Sequence, residues 1–243
     1  MRKLQSILIM LSVLTLSSCH IESKRENAKG VNMMLQGDYM GAAATFGSVC
    51  QADPAWLPAF YNRGVAIAHC GDYEAALKDF NYVLAASPDH ADSYFNRAIL
   101  YENLKEYQNA IKDYTQALAI QPNFLMAYHY RGMVRFKMED MYGALSDFTK
   151  ALDLGRGVSM EIKQAKEFGL NSSGLFFCRA AVYHRLGEYD KAISDYTQSL
   201  LIDPSNAKAY FNRGAAYIKI GEYDKAKTDM LRAAELSKSA LSD

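Results

Sequence analysis

The chain has no excess charge of either sign: 27 Lys and Arg stand against 27 Asp and Glu in 243 residues. Nucleic acid is held by a net basic surface, so this balance argues against it as a partner. Motifs of catalysis are missing as well. The five histidines, at 20, 69, 90, 129 and 184, form no His-Glu-x-x-His run and no paired metal spacing, and no Gly-rich phosphate loop is present. His69 and Cys70 are sequence neighbours, but adjacent helical residues point about 100° apart and do not pair as nucleophile and base. Glu139 and Asp140 fall in a predicted turn as solvated groups. No enzymatic activity, metal or cofactor is expected.

Long apolar runs are also absent. Leu4 to Leu16 is mostly apolar but shorter than the roughly 20 residues a membrane helix needs. With Met1-Arg2-Lys3 before it and Leu16-Ser17-Ser18-Cys19 closing it, the stretch reads as an export signal. The Leu-Ser-Ser-Cys ending resembles the lipobox of bacterial lipoproteins. That resemblance implies a signal peptide over 1–18, lipidation of Cys19 and a tether over 19–22. Two or more acyl chains give lasting attachment where one is marginal. His20 after the cysteine, where retention in the inner membrane would call for aspartate, fits an outer-membrane lipoprotein facing the periplasm. The alternative is an ordinary signal peptide cleaved elsewhere. Loss of Arg2 and Lys3 with the signal leaves 25 basic against 27 acidic residues.

What the chain does have is a period. Alanine returns at 42, 76, 110, 144, 192 and 226, in steps of 34, 34, 34, 48 and 34 residues. One small unit is therefore copied along the chain. With these alanines at position 20, position 8 is small in every copy: Gly30, Gly64, Ala98, Gly132, Ala180 and Gly214. Position 24 is bulky, as Phe46, Phe80, Tyr114, Phe148, Tyr196 and Met230, and Pro54, Pro88, Pro122 and Pro204 mark unit ends. Apolar positions 4, 7/8 and 11 share one helical face and 17, 20, 24 and 27 another, with a break near position 15. Each unit reads as two antiparallel helices. One such hairpin cannot bury its own apolar face, so neighbours must stack.

These columns resemble the tetratricopeptide repeat (TPR) family, most plainly at Tyr-Phe-Asn-Arg-Gly-Ala-Ala-Tyr, residues 210–217. The resemblance implies an all-α, right-handed solenoid of six antiparallel helix-turn-helix units, at 23–56, 57–90, 91–124, 125–158, 173–206 and 207–240, with a tail at 241–243. The longer step leaves 14 extra residues at 159–172, between units four and five. Ser159 and Glu161 are placed to start a short helix there and Gly169-Leu170-Asn171 to end it, with Ile162, Ala165 and Phe168 on one face. A padded loop is the plainer reading, and a flap over a groove the functional one. Cys50, Cys70 and Cys178 fall at positions 28, 14 and 6, heights too different for disulfides, and are expected to be buried thiols.

Charge recurs in register. Arg63, Arg97, Arg131, Arg179 and Arg213 at position 7 face Asp79, Asp113, Asp147, Asp195 and Asp229 at position 23, while unit one has Lys29 and Thr45. At similar heights on antiparallel helices they are expected to form structural ladders, within a unit or across to the next.

In the TPR family the concave groove is lined by positions 2, 5, 6, 9, 12 and 13. Carried over, positions 5 and 6 give Tyr61, Asn62, Phe95, Asn96, His129, Tyr130, Phe177, Cys178, Phe211 and Asn212 as candidate peptide-groove residues. Rings and amides suit an extended peptide or a partner helix, unless the rings pack between neighbouring first helices. Basic residues Lys137, Arg185 and Lys219 at position 13 suit an acidic segment. No unit carries the Lys and Asn pair of the TPR carboxylate clamp. The expected function is a membrane-anchored scaffold binding protein partners at the bacterial envelope. The alternative is a fixed, pilotin-like subunit of an envelope machine. An apolar edge including Met230 on the last helix is a candidate for self-association.

Overall fold

The computed structural model describes residues 21–157 and 172–239. The signal peptide, Cys19 and the helix expected at 159–171 lie outside the described residues. Among these residues the chain is all-α, with twelve helices and no strand. They are α1 (21–35), α2 (Tyr39–Ala52), α3 (Leu57–His69), α4 (Tyr73–Ala86), α5 (Ala91–Asn103), α6 (Tyr107–Ile120), α7 (Leu125–Lys137), α8 (Met141–Gly157), α9 (Ser172–Arg185), α10 (Tyr189–Ile202), α11 (Ala207–Lys219) and α12 (Tyr223–Ser239). Two compact units divide between Asn109 and Ala110, inside α6.

Local chemistry sets the hairpins. Position 15 of every repeat turns through positive φ: Gly37 at 82°, Gly71 at 88°, Lys105 at 62°, Glu139 at 62°, Gly187 at 78° and Gly221 at 80°. Four of the six are glycine because a Cβ is strained there. Where the residue after the turn is aspartate it caps the second helix, as Asp38 accepts from Gly41 N at 2.9 Å and Asp72 from Ala75 N at 3.0 Å.

Packing follows the small-to-large columns. A Cβ on Gly30 would stand 2.6 Å from the Phe46 ring, and one on Gly132 2.9 Å from Phe148. Glycine at position 8 thus lets the aromatic of the second helix lie directly on the first helix. In the first unit α3 packs on both α2 and α4, and α4 on α5. In the second unit α7, α8, α9, α10, α11 and α12 pack each on the next. Direct contact between α8 and α9 shows that the 14 extra residues leave the stack uninterrupted.

The position-7 arginines tie each hairpin together. Arg63, Arg131, Arg179 and Arg213 each donate Nε and Nη2 to both carboxylate oxygens of the aspartate 16 residues later, at 2.6–3.0 Å. The Asp79, Asp147, Asp195 and Asp229 carboxylates are buried beneath them. The link is within the repeat. A second one reaches backward: Arg131 Nη1 donates to Thr115 at 2.9 Å, Arg179 to Thr149 at 3.4 Å and Arg213 to Thr197 at 3.0 Å, each at position 25 of the preceding repeat. Arg97 Nη1 meets Asn81, the same position, at 2.5 Å. The guanidinium also lies over the position-4 ring, as Arg63 over Phe60 at 5.2 Å and Arg213 over Tyr210 at 5.6 Å. In the last three repeats a single arginine therefore joins the two helices of its own hairpin to the hairpin before it.

Candidate functional site: the face of the first helices

The first helices present positions 5, 6, 9 and 13 on one face, and the structure divides these residues by use. Position-5 rings lean on the position-24 ring of their own repeat. Tyr61 is tilted on Phe80 at 6.0 Å, His129 on Phe148 at 5.9 Å and Phe177 on Tyr196 at 5.7 Å. Position-6 amides bond sideways. Asn62 Nδ2 donates to Asn27 Oδ1 at 3.1 Å and Asn96 Nδ2 to the Tyr61 hydroxyl at 2.9 Å, both across consecutive first helices. Asn212 bonds the Tyr196 hydroxyl. Tyr130 lies 6.3 Å from Tyr114, stacked at 27°.

Burial shifts the chemistry of these groups. It raises the Tyr61 phenol to about 12, with the Asp92 charge adding and the Asn96 hydrogen bond opposing. Burial lowers the His129 imidazole to about 4, so the ring is neutral at physiological pH. It also raises the Cys178 thiol to about 11.

Two expectations need correction. Phe95 is only 4% exposed and offers no surface to a ligand. Its ring belongs to the core, because an aromatic at position 5 has an apolar floor at hand and gains more by burial than by exposure. Cys70 is exposed, while Cys50 is buried and Cys178 half-buried; all three are free thiols. Cys70, at position 14, is the C-cap of α3 at the edge of the turn, where its thiol stays exposed.

The surface that remains open lies mainly on the second unit. Met133, Ala181 and Ala215 at position 9 are half-buried and form an apolar strip along α7, α9 and α11. Lys137, Arg185 and Lys219 are exposed at one end of these helices. Arg185 pairs at 3.3 Å with Glu139, both well exposed, so the contact is weak. Arg185 and Lys219 stand close enough to His184 for their charges, after burial, to lower its pKa. Phe211, at 56% exposure, is the outlier of column 5. Its repeat has Met230 in place of the aromatic at position 24 and Ala234 where earlier repeats have Leu84, Leu118, Leu152 and Leu200. The missing volume is a pocket of about 490 Å³ lined by Phe177, Lys208, Phe211, Asn212, Met230 and Ala234 among others. Columns 24 and 28 carry the signal of this departure; the pocket needed coordinates.

Family models place the same repeat along the chain. Models described as tetratricopeptide repeat match residues 34–88, 91–124 and 207–240, and one described as TPR repeat matches 180–221. The chain is a tetratricopeptide-repeat protein. No curated protein matches it. Among solved structures, this TPR chain is similar to Pseudomonas aeruginosa pilF at TM-score 0.73 and 17% identity, over 90% of this chain and 93% of that one. YrrB, described as a TPR protein with an unusual peptide-binding site, gives TM-score 0.67 at 20% identity, covering 80% and 93%. MamA from Desulfovibrio magneticus RS-1 gives 0.66 at 17% identity, covering 75% and 96%. At these identities the likeness concerns the fold. A TPR array offers interaction surfaces, and no catalytic family is indicated.

Proposed function

We propose that this TPR protein is an interaction scaffold whose second-unit first-helix face takes an extended or helical segment of a partner protein. The observation that carries the reading is the pocket beside Phe211, from which half-buried Ala215 and exposed Lys219 follow at four-residue spacing on the same face of α11, with exposed Arg185 at the matching end of α9. An apolar side chain of the partner fits the pocket, and acidic residues of the same segment suit the two cations. Tyr61, Asn62 and Asn96 are bonded to their neighbours and contribute shape more than contacts.

The scaffold reading includes an anchor: acylation of Cys19, holding the array at the outer membrane on its periplasmic side. Support comes from the basic head, apolar core and Leu-Ser-Ser-Cys ending alone. Mass spectrometry of the detergent-extracted chain tests it. An unmodified Cys19, or a chain that stays in the aqueous phase, would refute the anchor and leave the groove reading intact.

The groove is tested by cross-linking pull-down with Phe211→Ala and with Arg185→Glu/Lys219→Glu. Both variants should lose most of the captured partner while keeping helical circular dichroism. Equal capture by all three proteins would remove the groove reading. Several substoichiometric partners favour the scaffold, whereas one partner at constant ratio identifies a fixed subunit. Tyr223, Ile218 and Leu231 form an exposed apolar rim beside Met230, and sedimentation velocity tests the proposed self-association there.

A further inference from the structure

Where α7 and α9 meet, two sulfur donors touch. The Cys178 thiol lies 3.6 Å from Met133 Sδ. His129 precedes Met133 by one turn on α7, so the two side chains share a helical face. In the first unit, a position-6 residue meets position 5 of the preceding first helix, as Asn62 meets Asn27 and Asn96 meets Tyr61. Cys178 and His129 hold these two positions in consecutive repeats, and α9 packs against both α7 and α8. That register, repeated here, would place the imidazole next to the thiol. No other junction has sulfur in columns 6 and 9 together: the other residues there are Ala28, Asn62, Asn96, Tyr130 and Asn212, and Val31, Val65, Ile99, Ala181 and Ala215.

Two observations bear on what this cluster could hold. His129 Nδ1 is buried with no hydrogen-bond partner among the described residues, and a buried polar atom normally has one. The sulfur separation also matches a shared ion. Two ligands about 2.3 Å from one metal, at a near-tetrahedral angle, stand about 3.8 Å apart, so 3.6 Å requires almost no movement of either helix. His129, Met133 and Cys178 are each half-buried, which leaves the first-helix face as a route of entry.

We propose that Cys178, Met133 and His129 bind a soft monovalent cation, namely Cu(I). Thiolate and thioether donors select it over harder ions, which prefer oxygen. Charge points the same way. Cu(I) displaces the thiol proton to solvent, and the single thiolate then neutralises the ion, so nothing charged is left in apolar surroundings. Zn(II) on the same donors would keep a net positive charge there. No group of three His, Cys, Asp or Glu side chains is placed to hold a metal ion among the described residues; this site depends on a thioether. Met133 also belongs to the apolar strip of the proposed groove, but Cu(I) retention is read without any partner.

The test is anaerobic Cu(I) titration of the full chain carrying Cys19→Ser, Cys50→Ala and Cys70→Ser, against a chromophoric Cu(I) chelator. One equivalent should be retained, with sulfur and nitrogen neighbours in X-ray absorption. Cys178→Ala and, separately, the near-isosteric Met133→Leu should each weaken retention at least tenfold with unchanged helical circular dichroism. His129→Phe should remove the nitrogen neighbour. Failure of the triple variant to retain Cu(I), or retention unaltered by Cys178→Ala or Met133→Leu, overturns the proposal.

Discussion

Asn96 donates its side-chain amide to the hydroxyl of Tyr61 at 2.9 Å, across 35 residues of sequence and between two consecutive first helices. The family resemblance assigns both residues to ligand contact, yet here each satisfies the other. Replacing Asn96 with Ala should therefore lower stability by about 1 kcal/mol, the net worth of one such hydrogen bond. Chemical denaturation checks this. A variant as stable as the parent would return Asn96 to the ligand surface.

The arginine clamps are not equal. Asp147 receives Arg131 and also Arg135 Nη1, at 2.8 Å, whereas Asp229 has Arg213 as its one arginine partner among the described residues. Removing Arg213 strands a carboxylate that is 5% exposed; losing one member of a buried pair costs about 3–5 kcal/mol. Arg213→Ala should thus destabilise more than Arg131→Ala, where Arg135 still compensates. Thermal melts of the two variants decide it, and the reverse order would contradict the geometry.

Lys105 and Glu139 occupy a turn position at which the other four repeats place glycine, both with φ of 62°. The left-handed conformation costs a residue with a Cβ roughly 1–2 kcal/mol, and glycine gives part of this back through a more flexible unfolded chain. Lys105→Gly should stabilise by about 0.5–1 kcal/mol. A lower melting temperature would show that the lysine side chain has a role of its own.

Burial holds His129 neutral, with a pKa of about 4 against an ordinary 6.5. Between these values the unfolded chain binds more protons than the folded one, so stability rises with pH. It should be complete above about pH 6.5 and decline as pH falls toward 4. In His129→Phe, denaturation midpoints should lose that part of the slope; an identical pH profile would place the imidazole in water.

Within column 5, the alphabet is nearly constant but the exposure is not. Phe95 is core, Phe177 half-buried and Phe211 open. Sequence spacing puts all three on the same face of their helices. Whether the ring is covered depends on what the second helix facing it supplies, and for Phe211 a methionine and an alanine leave room where an aromatic and a leucine would fill it. The backward bonds of the arginines to Thr115, Thr149 and Thr197 were equally present as a column and equally silent. A threonine on a helix surface carries no sign of which neighbour reaches it.

The 34-residue period, the glycines that admit an aromatic, the aspartate caps and the position-7 and position-23 charges were determined by the sequence itself. Each is a local or periodic requirement, met by residue type alone. Tertiary structure decided which groups stayed free: it spent the asparagines on neighbouring helices, hid Phe95, opened the pocket at Phe211 and brought Cys178 to Met133. Those outcomes depend on the residue across a helix crossing, which the chain reaches only by folding.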